Sequence, residues 1–119
     1  MRHTLRITPL ALALAAACLS GCAAGTDPGA RVWKKKCSAC HGADGRARTR
    51  FAEGRPYADL TDGRWRHGPD REAVRRLVAD GDPRSTMPPF AERLTAAEID
   101  AVVDHALKLA AAGPGDSRR

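Results

Sequence analysis

Two cysteines and a histidine stand close together in the segment CSACHG, residues 37–42. Cys37 and Cys40 are three positions apart, and His41 follows directly. Three kinds of chemistry use such a cluster: thiol–disulfide exchange, zinc ligation and covalent attachment of haem. The elements around the cluster, and the other residues that could act with it, distinguish the three.

Of the three chemistries, covalent haem attachment best explains the presence of two cysteines followed by a histidine. Thiol–disulfide exchange uses a CxxC at the start of a helix in a βαβ unit, whereas this CxxC ends a predicted helix and no strand pattern surrounds it. Structural zinc needs four ligands, and the remaining candidates, His67 and His105, stand alone. Two thiols at this spacing can each add to a vinyl group along one porphyrin edge, and His41 can then reach the iron.

A second axial ligand for a haem iron is available further along the chain. A methionine thioether is a soft ligand that raises the reduction potential of haem iron. Once the N-terminal segment is removed, Met87 is the one methionine that remains. It lies in STMPPF, a segment stiffened by two prolines.

The first residues of the chain read as an export signal. Arg2, His3 and Arg6 give a basic start, and residues 7–19 are apolar. This apolar run has the length of a signal-peptide core and is too short to anchor stably in a bilayer. We therefore expect residues 1–21 to be a signal peptide and the protein to be exported.

The segment LSGC, residues 19–22, resembles the bacterial lipoprotein signal. That resemblance implies cleavage before Cys22 and acylation of this cysteine, and two or more acyl chains suffice for stable anchoring. The expected location is the periplasmic side of a membrane, with Ala23 slightly favouring the outer membrane. The alternative is an ordinary signal cleaved near Ala23 or Ala24, which would leave a soluble periplasmic protein.

The mature chain reads as one small all-α domain. Residues 22–29 are rich in small residues and helix breakers and predict a flexible tether, residues 30–112 predict the domain, and residues 113–119 predict a disordered tail. Helices are predicted at residues 30–40, from the Asp70 N-cap to Gly81, and from the Thr95 capping box to Gly113.

The formal net charge is +6, and loss of the signal with Arg2 and Arg6 would lower it by two. Basic residues lie on both sides of the cysteine motif: Lys34, Lys35, Lys36, Arg46, Arg48 and Arg50. They form either an ordinary solvated face or a basic rim that steers an acidic partner. We expect no nucleic-acid partner, because an exported lipoprotein would not meet nucleic acid.

Four segments together resemble a class I cytochrome c of the small bacterial monohaem kind: GARVWKKKCSACHG, ADLTDGRW, STMPPF and LTAAEIDAVVDHALKL. The resemblance implies an all-α cytochrome c fold of three to four helices wrapped around one covalently bound haem c. It also implies thioether bonds from Cys37 and Cys40 and axial ligation by His41 and Met87.

The family pattern is matched in some supporting positions and broken in others. Gly29 and Trp33 match the first-helix pair that packs against the last helix, where His105 replaces the usual tyrosine. The proline whose carbonyl usually receives the hydrogen bond of the proximal histidine has no clear equivalent. Pro56 lies four residues before Leu60, whereas the family spaces these positions by two.

With both axial positions filled by the protein, the resemblance implies a carrier of single electrons and not an enzyme. The expected partners are an oxidase, a reductase or a periplasmic dehydrogenase. Two alternatives stay open, a gas-binding or sensor protein in which Met87 detaches, and an electron-transfer subunit of a larger complex. Two interpretations are open for the residues around Trp65. Either the Trp65 indole N–H or the guanidinium groups of Arg64 and Arg66 neutralise the haem propionates, or Trp65 is a partly buried core residue flanked by surface arginines.

Thioether formation predicts a simple chemical test. Native holoprotein should show no free thiol from Cys37 or Cys40 in a thiol titration, because both sulfur atoms would carry haem carbon. Denatured protein from which the haem bonds have been cleaved is the control and should titrate both thiols. A positive titration of the intact holoprotein would contradict covalent attachment.

Overall fold

The computed structural model describes residues 27–66 and 68–113. The predicted signal peptide, Cys22, His67 and nearly all of the predicted tail lie outside the described residues. Within them the chain forms helices and turns and no strand, which confirms the all-α prediction. None of the described helices has the length and apolar character needed to cross a membrane.

The first helical segment begins earlier than the sequence predicted. Helix α1 spans Pro28–Val32, so residues 28 and 29, which we assigned to the tether, are helical. The Asp27 carboxylate accepts a hydrogen bond from the Gly29 N–H at 2.9 Å and caps the helix. Proline suits the first position of a helix, because the N–H that it lacks would have no partner within the helix there. The cap and the proline together fix the boundary.

A wider turn interrupts the predicted regular helix before the cysteine motif. Trp33–Cys37 form a π-helix, after which α2 spans Ser38–His41. The Ser38 N–H donates to the Trp33 carbonyl five residues back. Because such a turn contains an extra residue, the side chains that follow are rotated relative to a regular α-helix. Segments of this kind are frequent at functional sites, and this one ends at Cys37.

The region after the motif is a long connection with two short 3₁₀ turns, Arg50–Ala52 and Pro56–Ala58. Backbone hydrogen bonds fold this connection back on itself. The Ala47 N–H donates to the His41 carbonyl at 2.7 Å, and the Leu60 N–H donates to the Gly45 carbonyl at 2.8 Å. The connection is therefore held beneath the end of α2.

The two later helices confirm the sequence signals for their ends. Helix α3 spans Arg71–Asp80, and the Asp70 side chain accepts from the Ala73 N–H at 2.8 Å. Helix α4 spans Ala96–Ala111. Its Thr95–Glu98 capping box is complete: the Thr95 N–H donates to the Glu98 carboxylate at 2.9 Å, and the Glu98 N–H donates to the Thr95 hydroxyl at 3.1 Å.

Helix α4 is the centre of the core, and its Val102 and Val103 side chains are fully buried. Helix α1 crosses it at Gly29, where a Cβ atom would lie 2.2 Å from the Ala101 carbonyl oxygen. Only glycine allows this approach. The other residues of this core cluster come from α1, the π-helix, α3, α4 and the loop before α4: Val32, Trp33, Val74, Val78, Phe90, Ile99 and Ala106.

His105 packs where the family usually has tyrosine. Its ring centroid lies 5.6 Å from that of Trp33, at an interplanar angle of 50°. Its Nδ1 lies 3.8 Å from the carboxylate of Asp27, the residue that caps α1. The histidine therefore takes part in the contact between the first helical segment and α4.

Candidate functional site

A cleft between the first helical segment, the long connection, α3, α4 and the Met87 loop holds all four residues predicted to bind haem. Cys37, Cys40 and His41 line it from the first helical segment, and Met87 lines it from the loop after α3. Apolar side chains make up most of the remaining wall: Trp33, Phe51, Ala58, Leu60, Trp65, Val74, Leu77, Val78, Phe90, Val102 and Ala106. The arrangement suits a large, flat, mostly apolar group.

The two cysteines differ in their surroundings. Cys37 is partly buried and Cys40 is exposed, and no disulfide joins them. Burial, with a smaller contribution from neighbouring Cys40, raises the pKa of the Cys37 thiol to about 11. At neutral pH Cys37 is therefore a neutral thiol, unlike the thiolate that nucleophilic cysteines require.

The orientation of His41 is fixed by one hydrogen bond. Its Nδ1 donates to the Ala58 carbonyl oxygen at 2.7 Å. Since a carbonyl can only accept, Nδ1 carries the proton and Nε2 keeps its lone pair. Burial lowers the pKa of His41, while the bond to Ala58 opposes the shift. The ring is thus a neutral imidazole with one nitrogen available as a ligand.

Ala58 is the acceptor that the sequence left open. It stands two residues before Leu60, the position where the family usually has proline, and Pro56 instead begins the 3₁₀ turn that ends at Ala58. Because the acceptor is a backbone carbonyl, alanine can supply it as well as proline. The spacing to Leu60 was the one sequence signal that could have found it.

Two further side chains fix the backbone around the motif. The Trp33 indole N–H donates to the Gly42 carbonyl at 3.0 Å, and the Thr49 hydroxyl donates to the Cys40 carbonyl at 3.0 Å. These bonds hold the C-terminal end of α2, where the last carbonyls have no helical partner. Sequence reasoning missed both contacts, because their acceptors are backbone atoms.

The Met87 loop is closed by backbone contacts that begin at Gly81. Gly81 ends α3 with φ of +72°, and a Cβ there would lie 2.7 Å from the Pro89 nitrogen. The Asp82 N–H donates to the Met87 carbonyl at 3.1 Å, and the Met87 N–H donates to the Ser85 hydroxyl at 3.1 Å. Met87 is thereby held at the cleft, half-buried.

Trp65 and the arginines beside it have partners within the protein. The Trp65 indole N–H donates to the Leu60 carbonyl at 2.7 Å. The Arg66 guanidinium donates to the Asp82 carboxylate at 3.2 Å, whereas Arg64 is exposed. Trp65 is therefore a half-buried tryptophan of the cleft wall, flanked by two exposed arginines, of which Arg66 pairs with Asp82.

The described residues do not support thiol–disulfide exchange or zinc ligation by the cysteine motif. Over residues 27–66 and 68–113 there is no strand to build a βαβ unit and no group of three His, Cys, Asp or Glu that could hold a metal ion. A haem fits the donor set instead. Two thiols, a neutral imidazole with its Nδ1 already bonded and a thioether all face one apolar cleft.

Comparisons with known proteins identify similar chains among the c-type cytochromes. Residues 24–105 match the family described as cytochrome c oxidase, cbb3-type, subunit III. The c-type cytochrome KustC0563 is 30% identical, with 68% of this chain and 95% of that one covered and a TM-score of 0.59. Cytochrome c6 from the diatom Phaeodactylum tricornutum is 28% identical over 72% of this chain and 94% of its own, with a TM-score of 0.58.

A third similar structure is a chain of the Kuenenia stuttgartiensis reducing HAO-like protein complex Kustc0457/Kustc0458. It is 29% identical, with a TM-score of 0.61, and the match covers 71% of this chain but 42% of that one. A comparison with curated proteins finds no match.

Fold, cleft and similarity define a class I c-type cytochrome with one haem. The chain belongs to the cytochrome c family described as cytochrome c oxidase, cbb3-type, subunit III. It binds haem c covalently, and its activity is electron transfer.

Substitution of Gly81 should open the Met87 loop. We expect Gly81→Ala to lower the free energy of unfolding by about 2–4 kcal/mol, because the new Cβ would meet the Pro89 nitrogen and the Met87 carbonyl in addition to the strain of a positive φ. Gly54→Ala is a matched control: Gly54 has the same φ of +72° and no atom within 4 Å. It should cost only about 1 kcal/mol. Equal losses in denaturant unfolding would show that the close contacts do not matter.

Proposed function

We propose that the protein carries single electrons, with His41 and Met87 as the axial ligands of its haem and Cys37 and Cys40 as its thioether attachments. The observation that carries the proposal is the placement of these four side chains around one largely apolar cleft. The attachment residues and His41 come from one helical segment and Met87 from a loop far along the chain, which suits ligation from opposite sides.

The haem supplies a one-electron couple when bound, and the chain determines its environment. The proton of His41 stays on Nδ1, held by the Ala58 carbonyl at 2.7 Å, so Nε2 serves as the ligand atom. Apolar side chains line most of the cleft, and a thioether ligand would raise the reduction potential. With both axial positions filled by protein, no position is left for a substrate, so we propose a carrier and not an enzyme.

The surface around the cleft suits brief contact with an acidic redox partner. Lys34, Lys35 and Lys36 are exposed on the helical segment that carries the motif. At the edge of the cleft Phe51 is 60% exposed and Tyr57 is 40% exposed, so apolar area is available between the charges. Electron transfer to an acidic oxidase, reductase or dehydrogenase should therefore slow as salt is added.

A second candidate role is a subunit of a larger electron-transfer complex. The family description names an oxidase subunit, and one similar chain belongs to a reducing HAO-like protein complex. The same cleft would then deliver electrons to a fixed neighbour. Stable co-purification with a partner at high salt would favour the subunit over the free carrier.

We propose that the protein acts at the periplasmic side of a membrane, anchored by lipid on Cys22. The LSGC segment supports this proposal, and haem attachment in bacteria takes place outside the cytoplasm. We expect wild-type protein to fractionate with membranes and Cys22→Ser to lose the lipid and its membrane attachment. Detergent extraction of the wild type, followed by purification, would also identify bound partners. Membrane attachment of Cys22→Ser equal to wild type would contradict lipid anchoring.

Optical spectra test the axial ligands directly. The oxidised wild-type protein should show the far-red band of a methionine–iron bond, and the reduced protein should not bind carbon monoxide. Met87→Ala should lose the band and bind the gas, because one axial position becomes free. Glu92→Ala changes an exposed residue that does not line the cleft and should behave as wild type. Ready binding of carbon monoxide by the wild type would instead support the gas-binding or sensor alternative.

A further inference from the structure

Arg66 contacts both loops that support the proposed axial ligands. Its Nη1 lies 3.2 Å from an oxygen of the Asp82 carboxylate. Its guanidinium carbon lies 5.3 Å from the centroid of the Tyr57 ring. All three residues line the cleft. Arg66 thus bridges the loop that presents Met87 and the turn on the other wall.

Asp82 is the residue around which the Met87 loop is built. Its side chain is 9% exposed, and its carboxylate accepts from the Arg84 N–H at 2.9 Å. Its own N–H donates to the Met87 carbonyl at 3.1 Å, and its carbonyl accepts from the Ser85 hydroxyl at 3.3 Å. A displacement of Asp82 would therefore be transmitted to Met87 through backbone and hydroxyl contacts.

Tyr57 connects Arg66 to the other ligand. It lies in the 3₁₀ turn Pro56–Ala58, directly before Ala58. The Ala58 carbonyl accepts the hydrogen bond of His41. Tyr57 and Arg66 each have a large exposed fraction, 40% for the residue Tyr57 and 41% for the Arg66 side chain, so the bridge lies at the mouth of the cleft.

We propose that Arg66 is a positioning residue that ties the Met87 loop to the turn behind His41 and so keeps Met87 on the iron. The proposal rests on the His41/Met87 ligation given above. An arginine suits this place because its planar guanidinium can donate to a carboxylate and stack on a ring at once. The ion pair of Arg66 with Asp82 should contribute more than an ion pair between two exposed side chains. Removal of the Arg66 charge would leave the nearly buried Asp82 carboxylate with less positive charge to balance it.

Competition by imidazole measures how firmly Met87 is held. In the oxidised holoprotein, added imidazole displaces the methionine, and the loss of the far-red band gives its affinity. Arg66→Gln should bind imidazole about tenfold more tightly than wild type, a change of about 1.4 kcal/mol. Arg64→Gln is the matched control, because the Arg64 side chain is exposed and makes no ion pair among the described residues. Its imidazole affinity should equal that of wild type.

Two more variants distinguish the bridge from a general loss of stability. Arg66→Lys keeps the charge but not the planar group, so its imidazole affinity should lie between those of wild type and Arg66→Gln. Asp82→Asn should raise the affinity in the same direction, and the Arg66→Gln/Asp82→Asn double variant should add little to either single one. If Arg66→Gln does not fold, the imidazole affinity of Arg66→Lys can be measured in its place.

The results separate failure of the bridge from failure of the proposed ligation. An Arg66→Gln variant with wild-type imidazole affinity would overturn the bridge. If its unfolding midpoint were lowered, Arg66 would serve the stability of the fold; if its reduction potential were shifted, Arg66 would act through its charge near the haem. Fully additive effects of the two substitutions would also overturn it. A wild-type protein without the far-red band would contradict methionine ligation itself, and the bridge with it.

Discussion

The hydrogen bond from His41 to the Ala58 carbonyl constrains most of the site. It requires the chain after the motif to return beneath α2 within seventeen residues. The bonds between Ala47 and His41 and between Leu60 and Gly45 make that return possible. One result is chemical: the proton is fixed on Nδ1 and Nε2 keeps its lone pair. Another is structural, since the same return closes one wall of the cleft.

The rest of the fold completes the cleft around a small core. Helices α1 and α3 both pack on α4, and Val102 and Ala106 of α4 belong to the core and to the cleft wall alike. A domain this small buries a modest fraction of its surface on its own. A covalently bound apolar group in the cleft therefore adds to the core as well as to the chemistry, and the aromatic residues Trp33 and Phe90 are shared between the two.

Sequence signals that depend on local chemistry predicted their elements well. The Asp70 cap and the Thr95–Glu98 capping box correctly predicted the starts of α3 and α4. The same kind of reasoning placed the first helix too late, although Asp27 and Pro28 carry the start signal. No comparable sequence signal indicates the π-helix at Trp33–Cys37.

Residue types did not predict the contacts made to backbone carbonyls or the contacts made across the cleft. The acceptor of His41 is a carbonyl, and any residue at position 58 would supply it, so residue type gives little information. Arg66 read as a possible propionate partner because its neighbours resemble those of the family. Its contacts with Asp82 and Tyr57 depend on tertiary placement of two loops.

The crossing of α1 and α4 has a consequence for the order of folding. The glycine contact joins Gly29 of the first helix to Ala101 of the last helix. Contacts so distant in sequence close a large loop, which costs chain entropy and slows folding. Until residues 96–111 have formed α4, α1 lacks its partner and the cleft lacks the wall supplied by Val102 and Ala106. The segment that carries the two thiols is consequently held in place only when the last helix docks.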